Sequence, residues 1–405
     1  MQVPTSQRSV AYCVGCAAFL FQFEAFFVHI ALPDMQREMG VTGPEIAQVI
    51  TMYLLGAVLA LLPGGALGRR FGFSKVFVIA CLVAAVGTAL SACATSLPDL
   101  RWFRCLQGIG IGLMVSAGYA LIPMWLARLH LGWGFGIVAQ GAGLGMILGV
   151  PIGGVVAHFL AWRWVFWAQL PLVIGLFILA VRALPADPPR CESSSSVTVR
   201  WQRLLKVDGF IYSLLALFLF QLILGGTRYL VPFYLESVQI LSSLQSSLYM
   251  VIYAVGVIIA SHVAGAAADR YGSAKLMLSA YILAGLGCLF FALFTSGGST
   301  AWALLLLSLL GAATGLFSAP NNRLMTSAIP QDLVQDVGSM LPIALNLGVM
   351  SGVFLFQYEF HGMVSDALVP QQDQGWAYST MYGSAGIAFL CLAFLHVILN
   401  RKRGC

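Results

Sequence analysis

The chain alternates long apolar stretches with short polar ones along nearly its whole length. A helix needs roughly 20 apolar residues to cross about 30 Å of hydrocarbon. Stretches of this kind are predicted at residues 9–32, 45–67, 75–96, 99–126, 132–159, 163–184, 208–236, 242–268, 275–296, 300–328, 332–358 and 376–399. They are too long and too continuous for barrel strands, so the pattern predicts an all-α integral membrane protein with twelve transmembrane helices.

Composition supports this class and excludes several others. The chain is 60% hydrophobic and only 9% charged, whereas a soluble domain carries about 25% charged residues. Cys13 and Cys16 form a C-x-x-C without further ligands, and most other cysteines lie in apolar stretches, so we expect no metal site and no cofactor. A nucleotide-binding loop, a zinc-protease motif and a nucleophile constellation are all missing from the sequence, which argues against an enzyme and against ATP-driven transport by this chain.

One polar stretch divides the predicted helices into two sets of six. Residues Pro185–Lys206 contain prolines, four consecutive serines and scattered charges, a composition typical of a flexible linker. The end of this stretch, Arg200–Lys206, interleaves apolar and basic residues and predicts a short helix lying on anionic lipid. We therefore predict an N-terminal bundle over 1–184, a cytoplasmic linker over 185–206 and a C-terminal bundle over 207–405.

The same basic pattern occurs twice, at the same place in each half. "GALGRRFGFSK" covers Gly65–Lys75 and "GAAADRYGSAK" covers Gly265–Lys275. Both copies fall in the short turn between the second and third helix of a half, so the chain is predicted to contain two related six-helix bundles. Two halves of parallel orientation can enclose a central cavity that opens to either side in turn.

The basic residues predict how the helices are oriented in the membrane. With both termini in the cytoplasm, most of the 21 Lys and Arg residues lie on the inner side, as the positive-inside rule requires. The outer loops are then acidic and contain Asp34, Glu38, Glu45, Glu359, Asp366 and Asp373. The net charge of +6 is therefore attributed to basic residues on the cytoplasmic surface next to the lipid bilayer, and no nucleic-acid partner is expected.

Several motifs together resemble the major facilitator superfamily over nearly the whole chain. The repeated loops are similar to its G-x-L-A-D-R-x-G-R-K signature, with Arg69 in place of the acid in the first copy. "FEAFFVHIALP" (Phe23–Pro33), "RCLQGIGIG" (Arg104–Gly112), "GAGLGMILGVPIGG" (Gly141–Gly154) and "WRWVFWAQLP" (Trp162–Pro171) resemble motifs of helices 1, 4, 5 and 6 in its drug/proton antiporters. Many members of that branch have two additional helices between the halves, which this chain lacks.

The resemblance implies two groups of structural motif residues. The gating motif on the cytoplasmic side would contain Gly65, Arg70, Gly72, Gly265, Asp269, Arg270 and Gly272. Because Arg69 replaces the acid that helps to lock the two halves, the resemblance assigns that task to Asp269. The helix-5 motif would contain Gly145, Gly149, Pro151, Gly153 and Gly154, with the proline shifted by one position. Glycines at every fourth position from 141 to 153 also predict close packing of this helix.

Glu24 is the carboxylate predicted to lie deepest in the N-terminal half. An acid at mid-membrane costs roughly 2.5–3.5 kcal/mol on insertion scales, and hydrocarbon surroundings favour its neutral form. A carboxyl in this position can take up a proton from outside and release it inside; the alternative is a helix-end acid bonded to a neighbour. The resemblance to drug/proton antiporters implies that Arg104 modulates this proton site; the alternative is an arginine that extends to the membrane surface.

Arg228 and His29 occupy matching places, each four residues before a proline in the first helix of a half. The depth of Arg228 in the membrane suggests that it binds an anionic group of the substrate or pairs with Glu24 or Glu236. The alternative is that its side chain extends to the outer membrane surface. The preceding Gly225-Gly226 pair could loosen the helix. Other candidates for the substrate cavity, or alternatively for interhelical hydrogen bonds, are Gln107, Gln140, Gln221, Asn321 and Asn346.

Three functional hypotheses follow. The leading one is a proton-coupled secondary active exporter of amphipathic small molecules that works by alternating access, as a monomer in the plasma (inner) membrane, with protons as the coupling ion. The second is a transporter of an anionic metabolite or siderophore that uses Arg228. The third is a sensor or scaffold that does not transport, which the lack of long soluble extensions disfavours.

Overall fold

The fold described is that of a computed structural model. It describes residues 5–126, 131–185, 203, 207, 209–295, 299–327, 334–367 and 374–401. These residues form twelve α-helices and no strand: α1 Thr5–Met39, α2 Gly43–Phe71, α3 Phe73–Ala92, α4 Leu97–Trp125, α5 Leu131–Phe159, α6 Arg163–Ala183, α7 Phe210–Ser237, α8 Ser243–Tyr271, α9 Ser273–Phe294, α10 Ala301–Ser327, α11 Val334–Ala367 and α12 Gly375–Arg401.

The helices correspond one to one with the predicted apolar stretches, which confirms the fold class. Eleven of the described helices are long and apolar enough to cross a membrane, and α5 contains a shorter apolar run, Gln140–Val156. Several helices extend beyond the predicted spans; α1, for example, reaches Met39 and contains Pro33. Hydropathy marks only the part of a helix that lies in hydrocarbon, so it cannot locate polar helix ends that continue past it. The predicted linker lies outside the described residues, except for Pro185 and Arg203.

The chain separates into two compact units. The first contains Met1–Lys206 together with Ile329–Leu347, and the second contains Val207–Ala328 together with Gly348–Cys405. Residues of α11 up to Leu347 therefore group with the first unit.

Helix pairing is the same in the two halves of the chain. In the first half α1 packs on α5, α2 on α4 and α3 on both α4 and α6. In the second half α8 packs on α10, and α9 packs on both α10 and α12. The remaining equivalent pair is α7 and α11, where a Cβ added at Gly348 would lie 2.5 Å from the carbonyl oxygen of Phe218.

The glycine stripe of α5 lies against the backbone of α1, which confirms the predicted close packing. A Cβ added at Gly149 would lie 2.6 Å from the carbonyl oxygen of Phe23, and Cβ atoms at Gly141 and Gly145 would overlap the carbonyl oxygens of Gly15 and Phe19. Since α1 contains Glu24, this packing fixes the helix that holds the proposed proton site. Gly153 packs on Phe27 one turn further along.

The Gly225-Gly226 pair has a similar packing role, and its ability to loosen the helix stays a prediction. Helix α7 is continuous through both residues. A Cβ at Gly225 would lie 2.8 Å from the Cα atom of Val349, and one at Gly226 would overlap the ring of Phe356. The two glycines therefore allow α7 and α11 to approach each other closely.

Candidate functional site

Glu24 and Arg104 form a buried ion pair in the first unit. Nη1 of Arg104 donates a hydrogen bond to Oε1 of Glu24. Glu24 is 3% exposed and Arg104 is 2% exposed, so neither side chain reaches the outside of the unit. Two charges in surroundings of low dielectric are costly unless each is neutralised and hydrogen-bonded. The pair satisfies this condition, and the alternative of an arginine extending to the membrane surface is wrong.

Arg104 also binds two other elements of the first unit. Its Nε donates to the carbonyl oxygen of Val49 on α2, over 3.3 Å. The guanidinium carbon lies 4.3 Å from the ring centroid of Tyr53 and 5.7 Å from that of Phe166, distances at which an aromatic face attracts a cation. The guanidinium group is therefore held by α1, α2 and α6 in addition to its own helix.

Gln107 continues the hydrogen-bonded network one turn along α4. Its Oε1 accepts a hydrogen bond from Arg104 Nη1 over 2.7 Å, and its Nε2 donates to Thr88 Oγ1 over 2.9 Å. The Thr88 hydroxyl donates in turn to the carbonyl oxygen of Ala84. Gln107 Nε2 also lies 3.4 Å from Oε1 of Gln169 on α6. We call Glu24, Tyr53, Thr88, Arg104, Gln107 and Gln169 the arginine cluster.

Three members of the arginine cluster were not predicted as site residues. Thr88 lies in an apolar stretch of α3, and Tyr53 and Gln169 lie within the predicted spans 45–67 and 163–184. For Gln169 a signal was available, since it belongs to the motif "WRWVFWAQLP". Contacts between helices far apart in the sequence leave no periodic pattern, so Thr88 and Tyr53 carried no comparable signal.

The first unit contains three other candidate residues: His29, Gln140 and Asn346. His29 is buried one turn after Ala25, and its Nδ1 atom hydrogen-bonds to the carbonyl oxygen of that residue. Gln140 is exposed on α5, whereas Asn346 on α11 is buried. None of the interactions described for these three side chains involves Glu24 or Arg104.

A second polar group lies in the second unit. The guanidinium carbon of Arg228 lies 5.9 Å from the ring centroid of Tyr253 on α8, and the Tyr253 hydroxyl lies 3.2 Å from Oγ1 of Thr314 on α10. Gln221 is buried on α7. Asn321 on α10 is completely buried, and neither polar atom of its side chain has a hydrogen-bond partner among the described residues. The ion pair described for Glu24 involves Arg104 and not Arg228.

The two copies of the repeated loop have the same backbone turn. Gly72 and Gly272 have φ angles of 99° and 84°, in a region that essentially only glycine adopts without strain. Arg70 and Arg270 are exposed, and each stacks on the aromatic residue that follows it, at 5.3 Å and 5.4 Å from the ring centroids. Gly65 and Gly265 lie in the last turns of α2 and α8; the side chain of Asp269 lies outside the described residues.

Three residues of the helix-5 motif, Gly145, Gly149 and Gly153, lie on the face of α5 that meets α1. Gly145, Gly149, Gly153 and Gly154 are buried, and Pro151 is half-buried within the continuous helix. Within the described residues, no cluster of three His, Cys, Asp or Glu side chains has an arrangement suited to a metal ion.

Known proteins with similar sequences and structures are transporters. The riboflavin transporter RibZ of Clostridioides difficile is 21% identical over 87% of each chain. A multidrug resistance protein B homolog of Mycobacterium tuberculosis is 26% identical over 69% of this chain and 62% of its own. The structure matches the nucleoside transporter NupG with a TM-score of 0.75, at 15% identity and over 97% of this chain and 99% of that one.

The family model assigns the chain to a family. The model of the Major Facilitator Superfamily matches residues 14–353, a range that includes the arginine cluster, both copies of the repeated loop and Arg228. Members of this family are transporters of small molecules and not enzymes. Together with twelve apolar helices and the structural match, this establishes that the chain is a multi-pass membrane transporter that belongs to the major facilitator superfamily.

Proposed function

We propose that the protein is a proton-coupled exporter of amphipathic small molecules, with Glu24 as the proton carrier. The observation that carries this proposal is the buried pairing of Glu24 with Arg104, whose guanidinium group also donates a hydrogen bond to Gln107. A carboxylate that is held by one arginine can exchange that partner for a proton without leaving an unpaired charge on itself. Relatives named for multidrug resistance support the substrate class.

Coupling follows from the two protonation states of the pair. When Glu24 is ionised, Arg104 neutralises it, and the cluster carries no net charge. When Glu24 binds a proton, Arg104 becomes the net charge of the cluster and disfavours a nearby cationic substrate. Proton binding and cation binding therefore exclude each other, which is the requirement for antiport.

The available energy is sufficient for export. One proton that crosses about 100 mV and one pH unit releases roughly 3.7 kcal/mol, about 2.3 from the voltage and about 1.4 from the pH difference. At about 1.4 kcal/mol for each factor of ten, this energy supports a gradient of several hundredfold for an uncharged substrate. For a monovalent cation the gradient is about tenfold, because its export against the membrane potential uses the voltage contribution. We place the protein in the plasma (inner) membrane as a monomer with both termini in the cytoplasm.

The proposal is tested by flux in proteoliposomes with ethidium, a flat amphipathic cation, as the probe. A pH jump should drive ethidium against its gradient in the wild type, and Glu24→Gln should reduce this pH-driven flux to the level of empty liposomes. Glu359→Gln replaces an exposed glutamate of α11 and should leave the flux unchanged. Full pH-driven flux in the Glu24→Gln protein would remove Glu24 as the carrier.

A second candidate function is transport of an anionic metabolite such as a siderophore. The observation that favours it is Arg228, which lies inside α7 beside the ring of Tyr253. A guanidinium group next to an aromatic face can bind a carboxylate while the ring packs on a planar substrate. The name of one relative, a riboflavin transporter, fits a planar substrate that carries polar groups.

Substrate charge distinguishes the two candidates. If the substrate is anionic, Arg228→Gln should raise the concentration for half-maximal flux of riboflavin phosphate more than tenfold and leave ethidium flux unchanged. The matched control is Arg182→Gln, which removes an exposed arginine at the end of α6. Equal effects of the two substitutions on both probes would count against a substrate site at Arg228.

A further inference from the structure

Tyr53 places an aromatic ring against the guanidinium group of Arg104, and the proposed coupling mechanism gives this ring no role. Its centroid lies 4.3 Å from the guanidinium carbon, nearer than the centroid of Phe166 at 5.7 Å. Tyr53 is 1% exposed and Arg104 is 2% exposed, so the ring and the cation meet away from bulk water. The attraction between a cation and an aromatic face is strongest where both are desolvated.

Close packing of α2 on α4 holds the ring in this place. A Cβ atom at Gly108 would overlap the carbonyl oxygen of Tyr53, and one at Gly56 would overlap the carbonyl oxygen of Cys105, the residue after Arg104. The backbones of the two helices are therefore in contact next to both Tyr53 and Arg104. This contact fixes the ring relative to the guanidinium group.

The ring matters most when Glu24 binds a proton. Among the described residues, Glu24 is the one carboxylate in an ion pair with Arg104. The other acceptors of Arg104 are the amide oxygen of Gln107 and the carbonyl oxygen of Val49, which carry no net charge. A buried cation without a counter-charge is costly. The negative face of the Tyr53 ring offsets part of this cost.

The helices packed around the pair supply no second carboxylate next to it. Within the described residues of α1 to α6, the other carboxylates lie near helix ends: Asp34, Glu38, Glu45 and Asp99. Arg101, one turn before Arg104 on α4, adds positive charge, and His29, five residues after Glu24, bonds within α1. The side chains that α3 and α6 contribute to the surroundings of Arg104 and Gln107 do not titrate: Thr88, Phe166 and Gln169.

We propose that Tyr53 is a positioning residue that favours the proton-bound state of Glu24, because its ring stabilises Arg104 once the carboxylate partner is neutralised. Unlike a second carboxylate, an aromatic face offsets the cation without binding a proton itself. The ring contributes less in the other state, in which Glu24 already neutralises the guanidinium group. Tyr53 thus sets how readily Glu24 exchanges its ion pair for a proton. This inference rests on the part of the proposed function in which Glu24 binds a proton.

Infrared spectroscopy of the protein in lipid nanodiscs measures this proton binding directly. A carboxylic-acid C=O stretching band that appears on acidification and is missing in Glu24→Gln belongs to Glu24, and its pH dependence gives a midpoint. In the Tyr53→Phe protein, mono-, di- and trifluorinated phenylalanine at position 53 keep the shape of the ring while fluorine withdraws charge from its face. The midpoint should move to lower pH with each fluorine, by up to about one pH unit in total.

Two controls separate the ring face from other effects. Tyr53→Phe removes only the hydroxyl, so its midpoint should stay close to that of the wild type. The same fluorinated residues in place of Phe77, a buried ring elsewhere on α3, should leave the midpoint unchanged.

Several results would overturn the inference. A midpoint that stays constant or rises across the fluorinated series at position 53 would show that the ring face does not favour the proton-bound state. A shift of the full size in Tyr53→Phe would assign the effect to the hydroxyl, and an equal shift from fluorination at Phe77 would assign it to the fold as a whole. Absence of a titrating band that Glu24→Gln removes would also refute it, since Tyr53 would have no proton-bound state to favour.

The infrared experiment and the flux experiment can fail independently. Midpoints that shift as expected, together with full pH-driven ethidium flux in Glu24→Gln, would support the role of Tyr53 and refute Glu24 as the carrier. Loss of that flux in Glu24→Gln, together with a constant midpoint across the fluorinated series, would support the carrier and refute the role of Tyr53.

Discussion

At the scale of single residues, the arginine cluster depends on matched charges more than on any one hydrogen bond. Arg104 contacts the carboxylate of Glu24, the amide oxygen of Gln107, the backbone carbonyl oxygen of Val49 and the ring of Tyr53. Removing one member of a buried ion pair is costly because the other charge stays behind, while removing both can be nearly neutral. The cluster should therefore respond differently to single and double substitutions.

This difference gives a stability prediction. Arg104→Met should lower the free energy of unfolding by about 3–5 kcal/mol at neutral pH, and the double variant Glu24→Gln, Arg104→Met should recover part of that loss. In Arg104→Met the isolated Glu24 carboxyl must bind a proton on folding, so the variant should become less stable as pH rises. Thermal unfolding in detergent, followed by tryptophan fluorescence at several pH values, measures both effects.

The double variant can also contradict this prediction of coupling between Glu24 and Arg104. If Glu24→Gln lowers the free energy of unfolding by the same amount in Arg104→Met as in the wild type, the two residues act independently. In that case the contact between their side chains would contribute nothing to stability, and the cluster would be held by packing alone.

At the scale of helices, glycine determines which helices approach each other closely. The stripe on α5 brings the backbone of α1 within contact distance, and Gly348 does the same between α7 and α11. Helix association in lipid relies on such close packing, since hydrocarbon offers little hydrophobic driving force between helices. The four-residue spacing of the glycines made this packing predictable, whereas their partner helix could not be read from the sequence.

Gly145→Ala tests this packing. Its Cβ atom would overlap the carbonyl oxygen of Phe19, so α1 and α5 must separate, at a cost of about 1–3 kcal/mol. Gly175→Ala on α6 is the matched control, because nothing lies within 4 Å of the added atom. The control should leave the unfolding temperature unchanged or raise it. Equal unfolding temperatures of the two variants would contradict a packing role for the stripe.

At the scale of the whole molecule, the sequence predicted architecture better than it predicted the site. Hydropathy identifies helices because the membrane requires the same apolar length at each crossing, and the repeated loop identifies the two halves. An influence of Arg104 on the proton site was expected only through motifs that resemble a known family, and its ion pair with Glu24 was not predicted. The contacts of Thr88 with Gln107 and of Tyr212 with His396 join residues far apart in sequence, and neither produces a local pattern.

Orientation in the membrane is a property of the whole chain that reporter fusions can measure. The basic residues predict that the polar stretch around Pro185–Lys206 faces the cytoplasm and that the turn between α7 and α8, near Leu241, faces outward. Green fluorescent protein fused after Lys206 should therefore fluoresce, and alkaline phosphatase fused after Leu241 should be active. Reporter fusions suit this chain better than cysteine labelling, because native cysteines such as Cys93 are exposed as well.

Exchanging the two reporters supplies the control. Alkaline phosphatase after Lys206 should be inactive, and green fluorescent protein after Leu241 should be dark, since each reporter matures on one side of the bacterial inner membrane only. The reverse pattern would place the repeated loops outside and the acidic loops inside. Protons would then reach Glu24 from the opposite face, and the direction of transport inferred from the proton gradient would be inverted even though every contact in the arginine cluster remained the same.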